Sequence, residues 1–109
     1  MRIYFRGRGI EISVRRLAYF EMGRGLMFRS QEVENLLFDF DVEGRRMIHS
    51  FFVFFPFLAL WLDSGNNVVE WRIIRPFRFS VRPSRQFRKL IEIPFNERNK
   101  KVINLFVKG

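Results

Sequence analysis

Residues 57–74 read FLALWLDSGNNVVEWRII and carry the strongest structural signal in the chain. Two runs rich in apolar, aromatic and β-branched residues, which favour strands, flank the turn-forming residues 63–67. Gly65, Asn66 and Asn67 tolerate the positive φ angles that tight turns between paired strands require. The stretch therefore predicts a β-hairpin in which residues 57–62 pair with residues 68–74.

Most of the remaining chain also favours short strands. Residues 10–14 alternate apolar and polar side chains, the pattern of a strand with one face in water. Further strands are predicted at residues 36–40, 47–55, 87–93 and 101–107, with an edge strand or extended loop at 77–82. Residues 16–22 break the alternation and precede Gly23, which predicts a short helix. Seven or eight short strands with turns between them are typical of a sandwich or barrel, so we expect a small all-β fold with one short helix.

Length and composition predict one domain over residues 1–109. The chain has a common domain length, and two smaller units could not each bury a core without disulfides or metals. It has no cysteine, which excludes disulfides and thiolate metal sites and favours a reducing compartment. We see no signal peptide and expect a cytoplasmic protein. The uncharged stretch 47–62 contains Pro56 and is shorter than the roughly 20 residues of a spanning helix, so we expect no membrane segment.

The chain is strongly basic, with a formal net charge of +9, and seven of its basic residues lie in the segment 71–89. The segment contains no acidic residue, and its basic residues are Arg72, Arg75, Arg78, Arg82, Arg85, Arg88 and Lys89. They are interspersed with Trp71, Phe77, Phe79 and Phe87. Such a mixture of basic and aromatic residues is typical of small β-barrels that bind single-stranded nucleic acid. The alternation within residues 77–82 predicts that the rings point inward and the arginines outward. Such a surface would contact phosphates in a sequence-independent, salt-sensitive manner; alternatively, it is a charged surface of the kind some thermophilic proteins carry.

A second signal lies at residues 24–29, which read RGLMFR. Together with the strand at 36–38, the Phe-rich runs around Pro56 and the LDSGNNVV run at 62–69, this element resembles the domain of unknown function 192 family in order and spacing. The resemblance covers residues 10–106 approximately. It implies a small all-β fold with a short helix before the Gly-Leu-Met turn, and no established activity.

The resemblance also implies roles for the Gly-Leu-Met residues. Gly25 would end the helix in a conformation that side chains resist, while Leu26 and Met27 would fill the core. Arg29 would form a structural ion pair or hold a nearby carbonyl, with a ligand contact as the alternative.

No residue pattern marks a catalytic centre. His49 is the only histidine, so no multi-histidine metal site is available, and no serine has a nucleophile-elbow setting. Asp39, Asp41 and Glu43 resemble the opening of a calcium loop, but Ser50 stands where such a loop needs its bidentate glutamate. A solvated strand face is the favoured interpretation of these three acids, which remain weak candidates for a metal or for acid–base chemistry. We predict no cofactor.

Three functions remain open from the sequence. The favoured one is a small cytoplasmic domain whose basic surface binds nucleic acid or another polyanion. The second is a structural protein that self-associates as a homo-oligomer through some of its fifteen Phe residues. The third is a small metal-dependent hydrolase that uses Asp39, Asp41 and Glu43. A protein without catalytic activity is favoured over an enzyme.

Overall fold

The computed structural model describes residues 1–50, 52–78 and 80–108. Within these ranges the chain forms seven strands and one α-helix. The strands are β1 (Arg2–Phe5), β2 (Arg8–Glu11), β3 (Arg15–Arg16), β4 (Leu36–Gly44), β5 (Phe57–Leu62), β6 (Val68–Ile74) and β7 (Phe87–Pro94). The helix α1 spans Lys100–Val107, and single 3₁₀ turns occupy Tyr19–Glu21 and Glu97–Asn99.

Five of the strands form a mixed sheet in the order β3-β4-β7-β5-β6, and β1 pairs with β2 in a separate hairpin. The central strand β7 is antiparallel to both β4 and β5. The predicted hairpin of residues 57–74 is confirmed as β5 and β6. Asp63 closes its turn, since Oδ1 accepts hydrogen bonds at 2.9 Å from the backbone N–H groups of Gly65 and Asn67.

The sheet is buried on both faces. Every residue of β5 is buried, and alternate side chains along it belong to two different core clusters. One face, the hairpin face, is covered by the β1–β2 hairpin and by α1, with Ile3, Ile10, Ile103 and Phe106 in contact with the core there. The other face, the loop face, is covered by residues from the long connections before β4 and before β5, namely Leu17, Leu26, Val53 and Phe55.

The small all-β fold is confirmed, but the strand predicted at 101–107 is wrong. These residues form α1, whose buried Ile103 and Phe106 lie three positions apart and contact the hairpin face. The β-branched and aromatic residues of this segment favour a strand, whereas the helical spacing of its apolar residues determines the structure. Across the described residues, no helix is long and apolar enough to cross a membrane.

The strand predicted at 47–55 is also wrong. Of its described residues, only Ile48 forms a β-bridge, to Val81, and Phe52 has a positive φ of 56°. Phe51 lies outside the described residues. Val53 and Phe55 are buried against the loop face, whereas Phe52 and Phe54 are exposed. The predicted helix at 16–22 is reduced to the 3₁₀ turn Tyr19–Glu21.

Candidate nucleic-acid interface and an adjacent cavity

Four of the seven predicted basic residues line one surface groove of about 300 Å³. Arg72 belongs to β6, while Arg75, Arg78 and Arg82 belong to the connection between β6 and β7. All four side chains are exposed. The remaining lining residues are Ile73, Ile74, Ser80 and Val81, so no acidic residue among those described lines the groove. We call this surface the arginine groove.

The buried Ser50 fixes the connection that carries the arginines. Its Oγ donates a hydrogen bond to the carbonyl of Arg75 (2.7 Å) and accepts one from the backbone N–H of Arg78 (2.6 Å). The backbone N–H of Ser50 donates to the carbonyl of Arg78 (2.8 Å), and its carbonyl accepts from Phe77 (2.9 Å). One side chain thus holds both ends of the turn from Arg75 to Arg78.

Glu70 anchors the other side of the groove. Its carboxylate lies 2.7 Å from the guanidinium of Arg72 and accepts hydrogen bonds from both the backbone N–H and the hydroxyl of Ser84. Burial opposes ionisation of Glu70, but the hydrogen bonds from Ser84 and the charge of Arg72 outweigh it and lower its pKa. Arg72 is therefore partly neutralised. Within the described ranges, Arg75, Arg78 and Arg82 form no ion pair.

The other three predicted basic residues lie outside the groove. Arg85 is exposed in the loop before β7. On β7, Arg88 lies 3.4 Å from Asp39, and Lys89 donates a hydrogen bond of 2.7 Å to the side chain of Asn66. The structure therefore brings together the arginines of the β6–β7 connection and separates them from the basic residues of β7.

The predicted acidic residues do not form one cluster. Asp39 is buried and lies 3.4 Å from Arg16 as well as from Arg88. Burial opposes its ionisation, but the Asp41 backbone N–H and the two arginines lower its pKa. Asp41 and Glu43 are exposed. In the part of the chain that the structure describes, no three His, Asp or Glu residues are placed to hold a metal ion.

Exposed phenylalanines form a row that ends at Phe77, in the turn between Arg75 and Arg78. Phe28 stacks on Phe52 with ring centroids 4.7 Å apart, Phe28 lies 6.5 Å from Phe54, and Phe54 meets Phe77 edge-on at 5.3 Å. All four rings are exposed by 44–60%. We call Phe28, Phe52, Phe54 and Phe77 the Phe row. Contiguous exposed aromatic surface of this kind marks binding sites more often than isolated exposed residues do.

The Phe row corrects part of the sequence prediction. Phe77 was expected to point inward, yet it is 47% exposed, because it occupies a turn with a positive φ of 61° instead of a regular strand. Phe79 lies outside the described residues. Phe87 is buried, and Trp71 packs against Phe106 of α1. The other members of the Phe row come from distant segments, so the order of residues 71–89 alone could not reveal them.

The Gly-Leu-Met element lies beside a second concave site. Gly25 has a positive φ of 52°, and Leu26 is in the loop-face core as predicted. The prediction that Met27 fills the core is wrong, because Met27 is only half-buried and belongs to neither core cluster of the described residues. Arg29 donates a hydrogen bond of 2.5 Å to the carbonyl of Gly25 and lies 3.7 Å from Glu21. Burial lowers the pKa of Arg29. These contacts fix the backbone of the element.

Glu92 of β7 is the one described acidic residue whose pKa is strongly raised. It lines a cavity of about 250 Å³ between the Gly-Leu-Met element and residues 46–49. Its side chain is buried, and its Oε1 has no hydrogen-bond partner in the part of the chain that the structure describes. Burial raises its pKa to about 8, against the lowering effects of the Leu26 backbone N–H and of Arg29. Glu92 is not among the site residues predicted from the sequence, although a single acid inside the otherwise apolar run 90–94 was a usable signal.

Two solved structures share this fold. The chain is similar to a "putative transcription regulator" from Sinorhizobium meliloti 1021, with a TM-score of 0.76 and 19% identity over 93% of this chain and 82% of that one. It is also similar to a protein of unknown function from Novosphingobium aromaticivorans DSM 12444, with a TM-score of 0.65 and 14% identity over 86% of this chain and 69% of that one. At these identities the likeness establishes the fold alone.

The other comparisons give no relative. No family model matches the chain. No curated protein matches it significantly. The resemblance to the domain of unknown function 192 family therefore stays a prediction.

Proposed function

We propose that this protein binds single-stranded nucleic acid, with phosphates in the arginine groove and bases on the Phe row. The observation that carries the proposal is the position of Phe77, an exposed ring of the Phe row that lies in the turn between Arg75 and Arg78 of the groove. Proteins that bind single strands combine a positively charged groove with aromatic rings on which bases stack. A cationic groove without exposed rings would support only a general polyanion site.

The electrostatics of the groove favour the same function. Arg75, Arg78 and Arg82 have no carboxylate partner among the described residues, so their guanidinium groups keep their donors for phosphate oxygens. The net charge of +9 would attract nucleic acid over a longer range. The name of the Sinorhizobium meliloti protein accords with nucleic-acid binding. As part of the same proposal, we assign the protein to the cytoplasm.

Binding of a fluorescent single-stranded oligonucleotide should be strongly salt-dependent. Three or four phosphate contacts give a slope of log K against log salt of roughly −2 to −3, and so about a 20- to 50-fold loss of affinity between 50 and 200 mM salt. Fluorescence anisotropy over a salt series measures the slope. The variant Arg78→Glu/Arg82→Glu should bind at least about 50-fold more weakly at low salt, with a shallower slope.

A matched control separates the groove from net charge. Lys100→Glu/Lys101→Glu changes the charge by the same amount on α1, at exposed residues that do not line the groove. This variant should lose much less affinity than the groove variant. Equal losses in the two variants would mean that only the overall charge matters, and no binding at 50 mM salt would refute the proposal.

Phe54→Ala should weaken the binding of single strands but not of duplexes. Each base stacked on an aromatic ring contributes about 1–3 kcal/mol, so the affinity for a single strand should fall about fivefold or more, whereas duplex bases are not available to stack. The salt slope should stay unchanged, because Phe54 carries no charge. The measurement is the same anisotropy titration with both kinds of oligonucleotide.

The Phe row also favours self-association as a second candidate function, since exposed aromatic surface can pair with another copy. Sedimentation of the free protein distinguishes self-association from nucleic-acid binding as the role of the Phe row. If the native protein is oligomeric and Phe54→Ala is monomeric, with the affinity for single strands unchanged, the Phe row is a contact between copies rather than a stacking surface for bases.

A further inference from the structure

The cavity that contains Glu92 is a candidate ligand site separate from the arginine groove. At about 250 Å³ it is smaller than the roughly 300–1,000 Å³ of sites for drug-sized ligands, so it suits a molecule with a single ring. Its walls are mainly apolar and include Phe38, Phe40 and Leu90. The buried lining residues form its floor, while the exposed Arg24 and Met47 mark its mouth.

The floor of the cavity holds one carboxylate oxygen without a hydrogen-bond partner among the described residues. Glu92 is 4% exposed, and its Oε1 forms no hydrogen bond within residues 1–50, 52–78 and 80–108. A Cβ on Gly25 would lie 3.0 Å from this oxygen and 3.1 Å from the ring of Phe38, so glycine keeps the space beside the carboxyl group open. Buried polar atoms are nearly always paired, so a molecule that enters the cavity, whether a water or a ligand, can supply the missing partner of this oxygen.

The mouth of the cavity is basic. Arg24 donates a hydrogen bond from Nε to the carbonyl of Met27 (2.9 Å), and Arg46 donates from one terminal nitrogen to the carbonyl of Val42 (3.2 Å). These contacts orient both guanidinium groups and, within the described ranges, leave most of their donors unused. Arg46 also lies over the ring of Phe40, 4.6 Å from its centroid. Neither arginine forms an ion pair within residues 1–50, 52–78 and 80–108, so an anion is the group that this mouth would bind.

We propose that this cavity binds a small hydroxylated aromatic carboxylate, with its hydroxyl on Glu92, its ring between the apolar walls and its carboxylate on Arg24 and Arg46. A hydroxyl suits Glu92 because it can both donate and accept, and so pairs with the carboxyl group in either protonation state. Because the proposal depends on the cavity and not on the groove, it stands or falls independently of nucleic-acid binding.

The test uses 4-hydroxybenzoate, benzoate and phenol as probes in amide-resolved NMR titrations of the full chain. We expect 4-hydroxybenzoate to bind at least about tenfold more tightly than either fragment, since each fragment lacks one of the two polar contacts. The shifted amides should be those of the cavity wall, including Gly25, Leu26 and Ile48. Shifts confined to the arginine groove, or equal affinities for 4-hydroxybenzoate and benzoate, would overturn the proposal.

Two variants assign the contacts. The side chain that Glu92→Met introduces has nearly the same length as that of glutamate but no polar end. In this variant 4-hydroxybenzoate should therefore bind no better than benzoate. Arg24→Ala/Arg46→Ala should weaken binding of 4-hydroxybenzoate about tenfold or more and leave phenol unaffected. The arginine variant changes only side chains at the mouth and keeps the test decisive if Glu92→Met fails to fold. An unchanged affinity for 4-hydroxybenzoate in the arginine variant would refute the proposed orientation.

Discussion

Glu92→Gln should remove a large pH dependence from the stability of this protein. Burial raises the pKa of Glu92 from 4.5 to about 8, so between these values the folded chain binds more protons than the unfolded chain. The stabilising effect of the protonated group is complete below pH 4.5 and is lost as the pH rises through 8. One pKa unit corresponds to about 1.4 kcal/mol, so the native free energy of unfolding should fall by on the order of 5 kcal/mol across this window.

Chemical denaturation at a series of pH values from 5 to 9 measures this effect. The midpoint of the native protein should fall between pH 5 and about pH 8 and then level off, whereas that of Glu92→Gln should stay nearly constant and exceed the native value at pH 9. Asp39 and Glu70 do not confuse the result, because their pKa values are lowered and they titrate below the window. Parallel pH profiles of the native protein and the variant would show that Glu92 is already ionised over the whole range from pH 5 to 9. Solvent would then reach its carboxylate in the folded protein.

The parts of the fold that were predictable depend on residues close together in the chain. The turn at 63–67 contains its own hydrogen-bonding partners, because Asp63 holds Gly65 and Asn67, and the hairpin of β5 and β6 follows from it. The structure of residues 101–107 was harder to predict, since their composition favours a strand whereas the spacing of their apolar residues favours a helix. Contact of Ile103 and Phe106 with a face formed by other segments supports the helix, and no local pattern contains that contact.

The candidate site also has one part that could be predicted from the sequence and another that could not. Arg72, Arg75, Arg78 and Arg82 are close in sequence, so their common positive surface was predictable. The sequence could not predict which neighbouring basic residues are neutralised, because the partner of Arg88 is Asp39 on another strand. The cavity at Glu92 depends on Gly25, 67 positions away. That Glu92 Oε1 has no partner among the described residues becomes evident only when the fold places the two residues together.

Ser50→Ala should be among the most damaging small substitutions in this protein. Ser50 is fully buried, and its hydroxyl satisfies both the Arg75 carbonyl and the Arg78 backbone N–H. Alanine leaves both groups without that partner, at a cost near the lower end of about 1–3 kcal/mol each because the two hydrogen bonds are part-buried, so the free energy of unfolding should fall by about 2 kcal/mol. Denaturant unfolding measures this loss. Ser64→Ala, at an exposed position in the turn between β5 and β6, is the control and should change stability by less than about 0.5 kcal/mol.

The same variant tests whether the groove must be rigid to bind. Ser50→Ala keeps every arginine but releases the turn that orients Arg75 and Arg78, so single-strand affinity should fall severalfold while the salt slope, set by the number of phosphate contacts, stays the same. Hydrogen exchange at the Arg78 amide should accelerate, since its 2.6 Å hydrogen bond to Ser50 is lost. If stability and exchange change as expected but affinity does not, the arginines act as mobile charges, and the groove's shape contributes nothing to recognition.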